Sequence, residues 1–377
     1  MSPGPAPFRD PHGVRTHVLW TESSLQASIQ ASCLVSAFAS VVVASETGDL
    51  GLIDLRHGTM LSRLSLEDPV QGLVVTDHRV VVTTAASVLI YNLMDPRAAD
   101  VNKSTTTGFT LLWERPVPEY FDRFVGPPLV LSGHVIQAME REGAVGLASF
   151  DLKSQDNDWE GDSEKALAGR FGFLTAGAAD RILLGSDRGV VRGFVVTSGL
   201  TWFESQIPMG LAAPGILPAP VCCEKLHAVA EGGTLYLLDT ASSPVPRPLG
   251  QAHVELPGFL GVSEHEVVLG TQRGELVRYN AAGLDRREFK SLMGEAGTRA
   301  GFTTPPILFD GGRLIAADAA GAAHFFGPLS DGGSPAIKHF SFTRTGRLTG
   351  LIGIGPTLIG TTSTGEVQAL KIVEEEP

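Results

Sequence analysis

Two adjacent cysteines are the residues of this sequence best suited to redox chemistry. Cys222 and Cys223 lie in the segment Pro220-Val221-Cys222-Cys223-Glu224. Neighbouring cysteines can close a strained ring, and such strain usually belongs to functional sites. The flanking residues nevertheless favour a β-strand, in which alternation directs one thiol into the core and the other outward. We therefore interpret both as small buried apolar residues, and the sequence leaves their redox state open.

The ten histidines offer little to a metal ion. The sequence has no His-x-x-x-His or Cys-x-x-Cys pair, so a tetrahedral site would need ligands that converge from distant segments. The group Glu264-His265-Glu266 is interpreted as an exposed turn. No Gly-x-Ser-x-Gly elbow and no Gly-x-x-x-x-Gly-Lys phosphate loop occurs either. We predict no catalytic residue, no metal and no cofactor, and we favour a protein that is not an enzyme.

An aromatic and charged segment is the best candidate for protein binding. It reads Glu119-Tyr120-Phe121-Asp122-Arg123-Phe124, and binding hot spots are enriched in Tyr, Trp and Arg. A tryptophan among acidic residues, farther along the chain, is a second candidate. The predicted protein-binding residues are Tyr120, Phe121, Arg123, Phe124 and Trp159. The alternative for this segment is that Phe121 and Phe124 pack into the core.

Composition and charge restrict the partners. The chain has 377 residues, 43% hydrophobic and 19% charged, with a formal net charge of −12, which is typical of a folded acidic protein. It contains no run of four basic residues, so we expect neither nucleic acid nor an anionic membrane as partner. Three cysteines and no apolar leader in Met1–Pro11 predict a reducing compartment and a cytoplasmic location.

A repeated hairpin pattern determines the fold prediction. An apolar run, a short turn ending in glycine and a second apolar run recur, as in Val41–Leu50, Ile182–Gly189, Val267–Leu276 and Leu358–Val367. Looser copies turn at Ala86, Gly143, Gly233 and Gly321. Neighbouring turns are about 45 residues apart on average, which is the period of a β-propeller blade. The prediction is an all-β, eight-bladed propeller of four-stranded antiparallel blades; if Ala86 marks no blade centre, the ring has seven.

The repeat resembles that of the quinoprotein-type (PQQ-like) propellers. The shared features are a Pro-Pro-apolar strand entry, the hairpin glycine, an Asp six residues later, and Gly-apolar-apolar-Trp, as in Gly199-Leu200-Thr201-Trp202. The resemblance spans roughly 16–373 and implies an eight-bladed disc. Because most copies lack the final tryptophan, the resemblance implies a degenerate member of the family that does not bind the quinone cofactor.

The ends of the chain are predicted to close the ring. Thr16–Trp20 copies the Leu-Leu-Trp pattern of an outer strand, and we expect it to pair with 366–372, which would leave no open sheet edge. The predicted organisation is a flexible N-terminus (1–15), a propeller (16–373) and an acidic tail (374–377). Two inserts, 95–110 and 153–165, are expected to be surface loops.

The predicted function is a noncatalytic protein–protein interaction scaffold in a multi-protein assembly, acting as a monomer or as a subunit of a hetero-complex. This follows from analogy with propeller discs, which offer loops on two faces. Two alternatives stay open. One is an enzyme with its site in the central funnel, a hydrolase, a lyase or a quinone-dependent dehydrogenase. The other is a small-ligand or sugar binder.

Overall fold

The structure is a computed structural model. It describes residues 14–98, 108–154, 156–160, 166–177, 180–208, 225–229, 234–239, 243–251, 257–262, 266–271, 274–280, 286–291, 301–302, 304–309, 313–318, 321–326, 337–342 and 346–374. The sequence-based predictions for Cys222, Cys223, Glu264 and His265 concern residues outside these ranges. Among the described residues, no helix is long and apolar enough to cross a membrane.

The described strands form eight antiparallel sheets. The first strand of the chain, β1 (Val14–Glu22), belongs to the last sheet. Sheet 1 consists of β2 (Ile29–Val35), β3 (Ser40–Ser45), β4 (Asp49–Asp54) and β5 (Met60–Ser65). Sheet 2 consists of β6 (Gly72–Thr76), β7 (Arg79–Thr83), β8 (Ser87–Leu93) and β9 (Phe109–Pro116). Sheet 3 consists of β10 (Arg123–Leu131), β11 (His134–Arg141), β12 (Ala144–Asp151), β13 (Asn157–Glu160) and β14 (Leu167–Ala168).

The second half of the chain repeats this arrangement. Sheet 4 consists of β15 (Phe171–Ala176), β16 (Arg181–Ser186), β17 (Val190–Val195) and β18 (Thr201–Gln206). Sheet 5 consists of β19 (Lys225–Val229), β20 (Thr234–Asp239) and β21 (Ser243–Gln251). Sheet 6 consists of β22 (Pro257–Val262), β23 (Glu266–Thr271), β24 (Glu275–Asn280) and β25 (Arg286–Ser291). Sheet 7 consists of β26 (Ile307–Phe309), β27 (Arg313–Ala317), β28 (Ala322–Phe326) and β29 (Ile337–Ser341). Sheet 8 consists of β30 (Leu348–Ile354), β31 (Thr357–Thr362), β32 (Val367–Glu374) and β1.

The architecture is an all-β propeller of four-stranded antiparallel blades. Seven of the eight sheets contain four or more described strands, whereas sheet 5 contains three. The expectation of eight four-stranded blades is therefore corrected to seven, which is the alternative number considered above. The difference arises at sheet 5, in which the described strands are β19, β20 and β21. The turn at Ala86, which lacks the glycine, joins β7 and β8 in a regular antiparallel pair.

The hairpins between the second and third strands share a side-chain cap. In sheet 1 the Ser45 hydroxyl accepts the Asp49 N–H at 3.1 Å, and the Gly48 N–H donates to the Ser45 carbonyl at 3.2 Å. Thr362 and Asp318 accept the N–H four residues ahead in the same way. Gly48 has φ +92°, and a Cβ there would lie 2.8 Å from the Asp68 carbonyl oxygen. Glycine is thus required both for its conformation and for the close approach of the next connection.

The predicted ring closure is present. Strand β1 pairs antiparallel with β32 from Val14 opposite Glu374 to Glu22 opposite Val367. The Trp20 ring then packs between sheets 8 and 1 in an apolar cluster with Val41, Ile53 and Ile359. A cluster of this kind fills each of seven junctions between neighbouring sheets in the described chain. The core is therefore a ring of sheet-to-sheet contacts, each built from alternate residues of the strands.

The outermost strands share an irregularity. In six sheets the pairing between the third strand and the outer strand shifts by one residue, which leaves one outer-strand residue without a partner across the ladder. Such a shift is a β-bulge, which bends the strand and increases its twist. The extra residues are Leu19, Leu61, Leu112, Asp158, Trp202 and Arg287.

The two inserts differ from the expectation of plain surface loops. The first contains a 3₁₀ turn, Pro96–Ala98, whose Arg97 donates to the buried Asp54 carboxylate at 2.7 Å and so anchors the insert to sheet 1. The second contains strand β13, so its interpretation as a loop is wrong for Asn157–Glu160. Trp159 is partly buried against sheet 4. The free energy gained by this burial offsets the conformational entropy that the neighbouring residues lose when the strand forms.

Candidate protein-docking site

A charged cavity of about 440 Å³ opens at one end of sheet 3. Two connections form it: the hairpin between β11 and β12, and the segment that leads from β14 into β15. Both lie at the same end of the strands, because each propeller blade brings these two kinds of connection to one face. The lining residues are Asp122, Arg123, Glu140, Arg141, Glu142, Gly143, Ala144, Gly169 and Arg170.

One ion pair is built into this cavity. Arg123 and Glu140 face each other across β10 and β11, and the guanidinium Nη2 lies 2.7 Å from Oε2 of the carboxylate. The other carboxylate oxygen accepts the N–H of Phe171 at 2.6 Å. Phe171 begins the next sheet, so Glu140 also connects sheets 3 and 4. Its side chain is mostly buried, whereas that of Arg123 is half exposed.

Four further charged side chains at the cavity have no oppositely charged partner within the described chain. The Arg141 guanidinium donates a long hydrogen bond, 3.4 Å, to the Tyr120 carbonyl oxygen. Arg170 is held through its backbone N–H, which donates to Asp187 at 2.8 Å, and its side chain is exposed. Asp122 and Glu142 are exposed acids on the same rim. The site therefore presents exposed charges of both signs.

The predicted aromatic segment divides into exposed and buried residues. Tyr120 is 68% exposed and lies in the connection that leads into the cavity wall. Phe121 and Phe124 are buried in the cluster between sheets 2 and 3. A Cβ on Gly146 would lie 2.6 Å from the Phe121 ring, so that ring fills the space over the glycine. Tyr120 and Arg123 are thus exposed, whereas Phe121 and Phe124 hold the segment against the core.

Trp159 lies apart from this group. Its ring stacks on Phe194 with centroids 6.2 Å apart, and its indole N–H donates to the Val196 carbonyl at 2.5 Å. A Cβ on Gly199 would lie 2.7 Å from the same ring. Trp159 therefore fastens sheet 3 to sheet 4, and it does so in the way that Trp20 fastens sheet 8 to sheet 1.

The sequence interpretation missed Glu140, Arg141, Glu142 and Arg170. The Arg141-Glu142-Gly143 stretch was recognised as a hairpin turn without attention to its charges. The repeat itself could have revealed the grouping, because it places each such hairpin beside the connection to the next blade. The Gly169 N–H donates a 2.8 Å hydrogen bond to the Gly143 carbonyl, so the connection to the next sheet lies directly against the hairpin.

The central channel offers a different chemistry. The innermost described strands of neighbouring sheets contact one another around the axis. One series of contacts runs through β30, β2, β6, β10 and β15, and a second runs through β22, β26 and β30. These seven strands contain apolar, small, amide and hydroxyl residues together with Arg123, and no Asp, Glu or His within their ranges. An enzyme of the funnel would have to draw its acids or imidazoles from other residues.

Other reactive groups of the described chain serve local structure. Cys33 is half-buried on β2, and burial raises the pKa of its thiol. The buried His324 Nε2 lies 2.6 Å from the Asp318 carboxylate, whose other oxygen caps the hairpin of sheet 7. Among the residues the structure describes, no group of three or more His, Cys, Asp or Glu side chains could hold a metal ion.

Comparison with known proteins supports the fold. No family model matches the chain, and no curated protein matches it either. BamB from Moraxella catarrhalis superposes with a TM-score of 0.69 over 96% of this chain and 99% of its own, at 17% identity. Sqt1 from Saccharomyces cerevisiae gives 0.71 over 95% and 99%, at 12% identity. Sqt1 from Chaetomium thermophilum, solved bound to the N-terminus of the ribosomal protein L10, gives 0.70 over 95% and 99%, at 10% identity. At these identities the likeness establishes the propeller fold.

Proposed function

We propose that this chain is a noncatalytic protein-binding propeller that works in the cytoplasm as a subunit of a larger assembly. The single observation that carries the proposal is Tyr120, an aromatic side chain 68% exposed at the rim of a cavity lined by three arginines. Tyrosine and arginine dominate the residues that contribute most to protein–protein binding. Burial of Phe121 beside it holds the segment in place, so little ordering entropy is lost on docking.

A propeller of the same fold has been solved with a protein segment bound, the Chaetomium thermophilum Sqt1. That precedent supports a docking role for the disc without identifying this chain's partner. We further propose that the chain is a degenerate relative of the quinoprotein-type propellers that carries no cofactor. The equivalent positions of Trp20 and Trp159, each donating to a carbonyl of the next sheet, support this relationship.

Site-specific crosslinking tests the docking role. A photoreactive benzoylphenylalanine in place of Tyr120 should crosslink a discrete partner in extracts of the source cells. The same group in place of Arg56 is the control, because Arg56 is exposed in the turn after β4, at the opposite end of the strands. Crosslinks from position 120 alone would support the proposal. Crosslinks from position 56 alone, or from neither position, would contradict it.

A further inference from the structure

The charges at the cavity suggest what kind of segment it accommodates; this step rests on the docking role proposed above. Of the six charged side chains that line it, Arg123 and Glu140 neutralise each other at 2.7 Å. The remaining four are Asp122, Arg141, Glu142 and Arg170. Within the described chain none of them forms an ion pair, and all four are exposed. Two positive and two negative groups are therefore left for a ligand to match.

We propose that the cavity binds an extended segment of a protein partner that carries both an acidic and a basic side chain. A carboxylate can form two parallel hydrogen bonds with a guanidinium such as that of Arg141 or Arg170. An ammonium or guanidinium can pair with Asp122 or Glu142. A segment of one sign alone gains two of these interactions and meets two like charges, which select against it.

The size and setting of the cavity agree with such a ligand. Its volume of about 440 Å³ falls in the range of sites that hold small ligands or a few side chains. The Glu140 carboxylate is fixed from two sides, by Arg123 and by the Phe171 N–H. The built-in pair therefore stays neutral and leaves recognition to the four rim groups. The backbone carbonyl of Tyr120 accepts a hydrogen bond from Arg141, so this exposed tyrosine lies close in the chain to one of the rim groups.

Labelled peptides of equal length on a glycine–serine spacer test the inference with the full chain. One peptide alternates Glu and Lys, one carries only Glu, and one only Lys; binding is followed by fluorescence anisotropy at low salt. We expect the alternating peptide to bind at least about tenfold more tightly than either single-sign peptide. The double substitution R141E/R170E should abolish that preference. The matched control R56E, at the other end of the strands, should retain it.

The outcomes separate this inference from the docking role. Equal binding of the three peptides, tighter binding of the all-Glu or all-Lys peptide, or no measurable binding would overturn the charge inference. If position 120 still crosslinks a partner in that case, the docking role is supported and the proposal of a mixed-charge ligand is rejected. Loss of the preference in R56E as well as in R141E/R170E would also overturn it, because the effect would then follow from overall charge.

Discussion

The indole Nε1 of Trp20 donates a hydrogen bond of 2.8 Å to the carbonyl oxygen of Leu55, and the indole ring packs over Gly58 in the same turn. Trp20 belongs to the outer strand of sheet 8 and Leu55 follows the third strand of sheet 1. The bond thus joins sheet 8, the last sheet of the ring, to sheet 1. Trp159 and Val196 repeat it between sheets 3 and 4.

Replacement of Trp20 by phenylalanine should lower the free energy of unfolding by about 1–3 kcal/mol, because it removes the hydrogen bond and leaves the Leu55 carbonyl without that donor. The matched control is Trp113→Phe. Trp113 is similarly buried on β9, but its indole N–H has no partner among the described residues. Urea unfolding of both variants measures the difference. Equal losses would show that ring volume alone decides the effect.

Deletion of residues 1–22 should destabilise the entire disc, because it removes β1 and exposes the edge of β32. We expect the thermal midpoint to fall by several degrees or more, because the loss of a whole strand costs several kcal/mol and a loss of about 1 kcal/mol moves the midpoint by roughly 2–4 °C even in a domain of about 150–250 residues. Deletion of residues 1–12, which precede β1, is the control. An unchanged midpoint after the longer deletion would refute closure by this strand.

Substitution of Gly48 by alanine should destabilise the protein more than substitution of Gly133. Both glycines have positive φ, +92° and +82°, so both variants pay for a left-handed conformation. A Cβ at Gly48 would also meet the Asp68 carbonyl oxygen at 2.8 Å, whereas nothing lies within 4 Å of one at Gly133. We expect an extra loss of about 1–3 kcal/mol for Gly48→Ala, measured by denaturant unfolding. Equal losses would mean that the neighbouring connection moves aside.

Asp151 should make the stability depend on pH in the acid range. The backbone N–H groups of Ser154 and Lys153 donate to its carboxylate at 2.6 and 2.7 Å and hold its pKa below the usual value. A lowered folded-state pKa stabilises the protein above the unfolded value of about 3.9, and this contribution is lost as pH falls through the folded pKa. The advantage of the wild type over Asp151→Asn should therefore be constant near neutral pH and shrink as pH falls below about 3.9. Urea unfolding across that range measures the difference, and a constant gap would exclude the carboxylate charge as its source.

The periodic part of the fold could be predicted from sequence, because local chemistry repeats there. Glycine at positions such as Gly48 and Gly365 is needed for a positive φ. The apolar-Leu-Trp pattern that β1 shares with β9 predicted the closing strand. Strand β13 was missed, because its formation depends on Trp159 finding Val196 in another sheet. Long-range partners of this kind leave no local pattern.

The candidate site was predicted in part for the same reason. Tyr120 and Arg123 were predicted from their residue types, which favour interfaces, and Arg123 lines the cavity. The burial of Phe121 depends on the empty space over Gly146, a contact between two strands that composition does not reveal. Arg170 reaches the cavity through the connection from β14 to β15, so its membership follows from topology. The charged residues of the cavity come from separate segments that only the folded sheets bring together.

The bulges of the outer strands have a consequence for how these discs behave in a crowded solution. A straight outer strand would offer its free amide and carbonyl groups as a template on which another disc could add a strand. An unpaired residue such as Leu19 or Leu112 breaks the regular spacing of those groups midway along the strand. Although both leucines are largely exposed, at 47% and 40%, a second rim cannot match the interrupted edge over its length. Edge-to-edge pairing between copies of the disc is therefore disfavoured along the bulged outer strands.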